Sequence, residues 1–524
     1  MRVLPIGHQT FSELIEKDYL YVDKTEGVWK LVNHGKYYFF ARPRRFGKSL
    51  LLSTLRSYFE GKSDLFKGLY IYQKEKIWTK SPVIHINFGS ISYRSGKAVF
   101  QKSILFNLNY IAKAYEITLV ESSISDTFQD LVIQLHEKFG KVVILVDEYD
   151  KALVDLLENE QEFEDNRAVL NELYGNFKSL DNYLRFVFIT GVSRFAKVGI
   201  FSGMNNLNDI TMDVEFASIV GFTQTELTDN FAPYLQAVQK SFDLPMSQIM
   251  KTIKIWYNGF SWDGQTTLYN PFSILNFLSK KVLGNYWFST GTPTFLMDLV
   301  KQQQQLPAEF EGVVVQDLVG SSMRYRTLPL IPLLFQTGYL TIEKTIKNGM
   351  EVAYQLNYPN QEVRHSFITF ILAAFVDKDE FYIQADGIKL KNALLAGETD
   401  KFIDLLISFF ADIPSKLHLP AEAYYHSLVY LILRMVGVNM TLEKATNIGF
   451  IDGVIELTDK IYIIEFKFAT NKRVKNVKTL SKKALRQIKD RKYYEAYTNR
   501  AKPIILFGIG FLDKQIDGIT EILK

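Results

Sequence analysis

With 524 residues, 47% of them apolar and 14% aromatic, the chain can bury three or four domain cores, and a net charge of only +4 excludes a uniformly basic surface. The absence of cysteine excludes disulfides and thiolate metal sites and fits a reducing cytoplasm, the expected location. No apolar run reaches the ~18–20 residues that span a bilayer, and Met1-Arg-Val-Leu-Pro-Ile-Gly-His8 lacks the apolar stretch of a secretion signal, so no membrane partner is expected.

In chain order, the first informative element is a short aromatic strand, Lys36-Tyr-Tyr-Phe-Phe-Ala41. It leads through Arg42-Pro-Arg-Arg-Phe-Gly-Lys-Ser49 into a helix opening at Leu50. Strand, loop ending in Gly-Lys-Ser, helix is the context a phosphate-binding loop needs. Arg45, Phe46 and Gly47 would form the loop ahead of the helix. Its backbone N–H groups would cradle the β-phosphate, Lys48 would reach the β/γ oxygens, and the Ser49 hydroxyl would take Mg²⁺. Arg42 stands where the pattern G-x-x-x-x-G-K-[ST] has its first glycine, so the loop must turn differently or bind more weakly. By itself the segment fits a basic turn without nucleotide equally well.

Lys141-Val-Val-Ile-Leu-Val-Asp-Glu-Tyr-Asp150 tips that balance. It has the form of a buried parallel strand whose tip presents acids. Asp147 would bind the Mg²⁺ water shell and Glu148 would polarise the attacking water. A third apolar strand, Phe186–Gly191, contains Thr190 and is followed by Ser193-Arg194; Thr190 and Arg194 are candidates for sensing the γ-phosphate. Three such tips, one after Gly-Lys-Ser, favour a P-loop ATPase with ATP as its ligand. From Thr223 to about Val300 the pattern is helical, broken at Asn258-Gly259 and restarting at Asn270-Pro271. Leu328–Gly338 reads as a short helix, and Asn348-Gly349 between two β-type runs is a strong hairpin signal. Helix plus hairpin suggests a winged-helix module, more a brace than a DNA contact because no basic cluster marks the wing.

Near the C-terminus, Phe450 to Lys467 reads as another hairpin. A turn at Thr458-Asp459 sets Asp452 directly opposite Glu465, and period-two alternation puts Lys467 on the same face. Opposed Cβ atoms lie about 4.5–5.5 Å apart, a gap one divalent cation can bridge. Two like charges so placed destabilise a sheet unless a cation or proton compensates. Glu-x-Lys alone would be an ordinary salt bridge; the opposed aspartate and apolar flanks argue for a site. From Lys472 to Lys492 there are ten Lys or Arg and one acid, Asp490, so the rest of the chain is net negative. Such a local excess suits a polyanion and predicts binding that weakens with salt, a solvated lysine-rich face being the plainer alternative. Gln487 sits beside the apolar stripe Ala484, Leu485 and Ile488. Upstream, Glu422 and His426 lie one turn apart on a further helix, where either could reach a metal or phosphate but such residues are more often structural.

The Asp452, Glu465 and Lys467 constellation resembles the core of the PD-(D/E)xK nuclease superfamily. In that resemblance the two carboxylates hold Mg²⁺, the lysine positions or deprotonates water, and a glutamine such as Gln487 points into the site. The motifs Tyr21-Val-Asp-Lys-Thr25, Arg42–Ser49, Leu145–Asp150, Thr190–Arg194, Phe201–Ile210 and Tyr286–Phe295 extend the likeness to nearly the whole chain. They resemble the bacterial AAA-ATPase-like proteins that carry a C-terminal PD-(D/E)xK nuclease domain. In that family Arg42–Ser49 is the normal spelling of the loop; Phe450 departs from it, since relatives tend to have arginine there. The implied fold class is α/β: a P-loop AAA-type ATPase core (1–222) with a helical lid (223–300) and a winged-helix-like module (301–362), then a helical connector (363–414) and a restriction-endonuclease-like α/β domain (415–524). The implied function is ATP binding and hydrolysis that gates Mg²⁺-dependent phosphodiester cleavage. The alternative is a nucleotide-switched protein that binds nucleic acid without cutting it. Nucleic acid, DNA in the first instance, and ATP are the expected partners, with homo-oligomerisation left open.

Overall fold

The computed structural model describes residues 1–524 except 121, 195–199, 202–203, 205, 289–295, 297–298, 301–309, 319–328, 377–378, 412–421, 447–448, 471–473, 475, 514 and 524; side chains are also left aside at 374–376, 422–424, 442–446 and 449–451. The chain forms two compact units, Met1–Leu299 with Gly312–Val363, and Val300–Glu311 with Arg364–Lys524. The five segments read from sequence thus group as the first three and the last two, apart from the short exchange near residue 300.

The first unit is built on a five-stranded parallel sheet: β1 (Tyr37–Ala41), β2 (Val83–Asn87), β3 (Val142–Asp147), β4 (Leu184–Gly191) and β5 (Asn208–Asp209), in the order β2-β3-β4-β1-β5. Helices on both connections allow near-continuous apolar strands, and every residue of β1 and β3 is buried. Parallel register aligns Asn87 with Asp147 and Ala41 with Gly191, so the carboxyl ends of β1 to β4 share one rim. That rim is where open α/β sheets bind ligands. Helices Gln224–Phe242, Met246–Tyr257 and Pro271–Lys280 form a separate apolar cluster with Leu20 and Val22. Thr223 and Glu226 form a capping box at the first helix, and Asn270 caps the third ahead of Pro271. Gly259 is required between them: its φ is +112°, and a Cβ there would collide with the Pro359 carbonyl. The helix Leu330–Thr337 precedes β7 (Thr341–Asn348) and β8 (Glu351–Asn357), joined at Gly349 and extended by β6 (Val314–Val315). The hairpin root is tied back by the Ser261 N–H to Thr341 Oγ1, 2.7 Å.

The second unit carries a mixed sheet, β9 (Met440–Thr446), β10 (Gly449–Glu456), β11 (Ile461–Ala469), β12 (Ile504–Leu512) and β13 (Gln515–Leu523), in chain order with only β11 and β12 parallel. Residues of β11 alternate between two cores. Tyr462, Ile464 and Phe466 pack with Leu428, Ile432 and Phe410. Ile461 and Ile463 pack with Val454, Leu485 and Ile488 beneath the helix Lys478–Asp490. Glu465, Lys467 and Asp452 continue that second face, under the basic helix.

Candidate functional site

The loop after β1 owes its shape to residues on both sides of it. Arg45 and Gly47 take left-handed backbone, φ +66° and +98°, whereas Arg42 does not, so no glycine is needed there. The Arg42 guanidinium is wholly buried, donating to Ala41 O (3.0 Å) and Thr211 O (2.6 Å) and lying over the rings of Phe40 (4.5 Å) and Trp262 (4.1 Å). Phe46 is buried against Phe260 and Trp262, and the Trp287 indole donates to Arg44 O at 3.0 Å. The loop is therefore clamped by the helical segment that follows the sheet.

Lys48 opens the helix Lys48–Phe59 and donates to Arg42 O and Pro43 O, both 2.9 Å. Burial lowers its ammonium to about 8, with Asp147, Asp150 and Glu148 pulling the other way. Ser49 Oγ donates to Asp147 Oδ2 at 2.6 Å, joining the two groups expected on one metal ion. Burial raises the Asp147 carboxyl against the Ser49 hydrogen bond and the Lys48 charge. Glu148 stands beside it in left-handed backbone, φ +53°, with Oε2 3.1 Å from Lys151 Nζ. Lys48, Ser49, Asp147 and Glu148 line a cavity of about 450 Å³ that Leu20, Tyr21, Val22, Phe222, Phe272 and Leu275 also line. Arg45, Phe46 and Gly47 contribute to its wall, and Arg45 also covers the Phe272 ring at 4.7 Å.

Thr190 and Arg194 are not brought to this cavity. Thr190 is wholly buried in β4, and the Arg194 guanidinium binds Asp209 Oδ2 at 2.9–3.0 Å. The contact between the two strand tips is made instead by Asp150, whose buried carboxylate accepts from Ser193 N (2.7 Å), Ser193 Oγ (2.6 Å) and Val192 N (3.1 Å). Asp150 has no role among the sequence-based expectations. Its signal was a third acid in the apolar run, where an unpaired charge would be too costly to bury.

At the second site the hairpin has the expected register: Gly453 pairs Ile464, Glu456 pairs Ile461, and the turn closes through Leu457 N to Lys460 O at 2.9 Å. Past Gly453 the Asp452 carboxylate takes the strand's place, accepting from Phe466 N at 2.8 Å. Glu465 is buried; its Oε1 accepts from Lys467 Nζ at 2.8 Å and from Gln487 Nε2. Lys467 Nζ also donates to Phe466 O, 2.9 Å. The compensating cation anticipated for the opposed acids is thus supplied in part by the lysine of the same strand. His426 approaches on Phe466, ring centroids 4.8 Å apart, with Nε2 2.9 Å from Asp452 O. A carbonyl can only accept, so the proton is on Nε2 and the contact is with backbone, not with the carboxylate. The Glu422 and Phe450 side chains lie outside the described residues, as do parts of the motifs at 201–210 and 286–295 and of the basic segment.

Two glycines of β12 set the position of Gln487. A Cβ on Gly508 would lie 2.5 Å from Leu485 N and Ser481 O, and one on Gly510 2.7 Å from Ser481 N. The helix Lys478–Asp490 therefore rests backbone-to-backbone on β12. The alternation Gly508-Ile-Gly510 inside an apolar strand was the available signal.

Among the described residues no group of three or more His, Asp or Glu side chains clusters to hold a metal. The donor chemistry at both sites still fits Mg²⁺, which prefers hard oxygens and takes one or two carboxylates with water and phosphate completing its shell. Asp452 with Glu465, and Asp147 with Ser49, are such sets. No described helix is long and apolar enough to cross a membrane.

Compared with known families, residues 5–201 match a model described as a predicted AAA-ATPase, and residues 420–521 match the PD-(D/E)XK nuclease superfamily. The chain is also similar to an uncharacterized protein in the vnfD 5' region of Azotobacter chroococcum mcd 1, 36% identical over 516 residues, covering 97% of this chain and 96% of the relative.

Proposed function

The chain belongs to a family that joins a predicted AAA-ATPase domain to a PD-(D/E)XK nuclease superfamily domain, and on that premise we propose that it binds and hydrolyses ATP in the first unit to gate phosphodiester cleavage of nucleic acid in the second. The observation that carries the reading is Asp452, Glu465, Lys467 and Gln487 converging on one face of β10 and β11 beneath a lysine-rich helix.

In the first unit Lys48 would exchange the loop carbonyls for nucleotide phosphate, and backbone N–H groups from Gly47 onward would cradle the β-phosphate. Ser49 and Asp147 would hold the nucleotide's Mg²⁺, and Glu148, released from Lys151, would polarise the attacking water. The apolar walls from Leu20–Val22 and Phe272–Leu275 suit a flat base. In the second unit Asp452 and Glu465 would hold Mg²⁺, which when bound activates water and neutralises charge developing at phosphorus. Lys467, fixed by Glu465 and the Phe466 carbonyl, would orient that water by hydrogen bonding. Gln487 holds Glu465 in place, and the exposed Lys482, Lys483 and Arg486 on the same helix would draw in the phosphate backbone.

A second reading, binding without cutting, has one observation in its favour: Lys467 and Gln487 already answer the Glu465 charge. The assay that separates them incubates purified chain with plasmid and with single-stranded DNA in Mg²⁺ or Mn²⁺, with and without ATP. Gated cleavage predicts nicking that responds to ATP and changes in Lys48→Ala. Binding with no cleavage under any condition would support the second reading, and cleavage indifferent to both ATP and Lys48→Ala would refute gating.

A further inference from the structure

The helix Lys97–Ala114 buries Phe100, Ile104, Leu108 and Ile111, yet turns three large apolar side chains outward: Val99, Phe106 and Tyr110 are 42%, 73% and 69% exposed. Spacings of seven and four residues put all three on one stripe. Neither aromatic ring touches another ring among the described residues. Lys102 and Lys113 flank the same stripe, exposed and without an ion pair among the described residues, and the helix contains no acid at all. Contiguous exposed apolar surface, here two rings and a valine on one stripe, is the kind of patch that marks an interaction site on a folded protein.

We propose that this face is a docking surface for single-stranded nucleic acid, with bases stacked on Phe106 and Tyr110 and phosphates met by Lys102 and Lys113. The two rings stand one turn apart, about 6 Å along the helix, and the two lysines bracket them at about 16 Å. Every base offers a π-face, so stacking binds without reading sequence, and an acid-free helix adds the charge that a polyanion requires. Duplex DNA keeps its bases stacked inside and can offer this face only phosphates. The surface lies in the unit with the nucleotide cavity and would hold an unpaired strand there. It rests on the reading that the substrate is nucleic acid.

The test uses the full chain in EDTA, so that no cleavage intervenes, and fluorescein-labelled oligo(dT) of 20 nucleotides. Phe106→Ala and Tyr110→Ala should each weaken binding about fivefold or more, with affinity for a blunt duplex unchanged. Phe106→Leu and Tyr110→Leu keep the apolar surface and should weaken it as well. An oligonucleotide carrying 5-iodouracil should photo-crosslink within residues 97–114. Unchanged oligo(dT) affinity with no crosslink in that helix would overturn the proposal, as would variants that alter only the chain's own sedimentation, which would mark a protein interface. Metal-dependent cleavage is scored in a separate reaction, so failure here and failure of the nuclease reading are distinguishable.

Discussion

Arg42 occupies the position at which a phosphate-binding loop normally turns on glycine, and its role is one of positioning. The side chain reaches back beneath the loop to the carbonyls of Thr211 and Ala217 and is sandwiched by Phe40 and Trp262. Arg42→Gly should therefore not repair the loop. It removes buried hydrogen bonds and two aromatic contacts while leaving a cavity, at a cost of about 2–4 kcal/mol, read as a lowered Tm together with weaker nucleotide binding. Tm and affinity equal to wild type would show the residue to be incidental. Glu362 is a buried ionisable group with a measurable signature. Its carboxylate accepts from Trp287 N and Ser273 Oγ, each 2.7 Å, yet burial raises it to about 7. The unfolded chain releases this proton near 4.5 and the folded chain near 7, so the folded state holds more protons across that window. Stability should fall as pH rises from about 4.5 to 7, by on the order of 3 kcal/mol, and then level off. Glu362→Gln should flatten that part of the Tm–pH profile; an unchanged slope would place the titration elsewhere.

Among elements, the nuclease-like hairpin was legible because its turn is short and its flanks are apolar, which leaves one register that keeps both cores filled. The parallel sheet was legible for a similar reason: continuous apolar runs ending in Gly or acid have few other uses. What periodicity could not give was the far side of each contact. Arg194, a candidate γ-phosphate sensor by its place after β4, pairs instead with Asp209, which is on a two-residue strand too short to leave a pattern. The apolar stripe Ala484, Leu485 and Ile488 directs the helix Lys478–Asp490 to the sheet, as found, but its close approach to β12 is signalled only by the Gly508-Ile-Gly510 alternation. Gly508→Ala tests that packing. A methyl group 2.5 Å from two backbone atoms must push the helix off the sheet and take Gln487 from Glu465. We expect a loss of about 1–3 kcal/mol and of cleavage, with ATP hydrolysis kept. Wild-type cleavage in this variant would mean that the position of Gln487 does not matter.

On the scale of the whole molecule, the chain joins two separate domains, one matching a predicted AAA-ATPase and one the PD-(D/E)XK nuclease superfamily. Their joint presence was evident in sequence at Gly47-Lys48-Ser49 and at Asp452, Glu465 and Lys467. Their grouping was less so, because the segment that follows the sheet shares buried contacts with the loop that only a folded chain reveals, Phe46 to Phe260 and Trp287 to Arg44 among them. Gating requires that nucleotide state alter cleavage. Lys48→Ala should abolish ATP binding and remove any effect of ATP on cleavage while leaving the metal-dependent chemistry intact.

The most direct test is the single-turnover cleavage rate of labelled DNA in Mg²⁺, compared among wild type, Asp452→Ala, Glu465→Gln and Lys467→Ala. The account predicts cleavage that disappears with EDTA and falls at least about a hundredfold in each variant, with folding and ATP hydrolysis unaltered. Cleavage that persists in Asp452→Ala, or a wild-type chain that binds DNA and never cuts it, would contradict it.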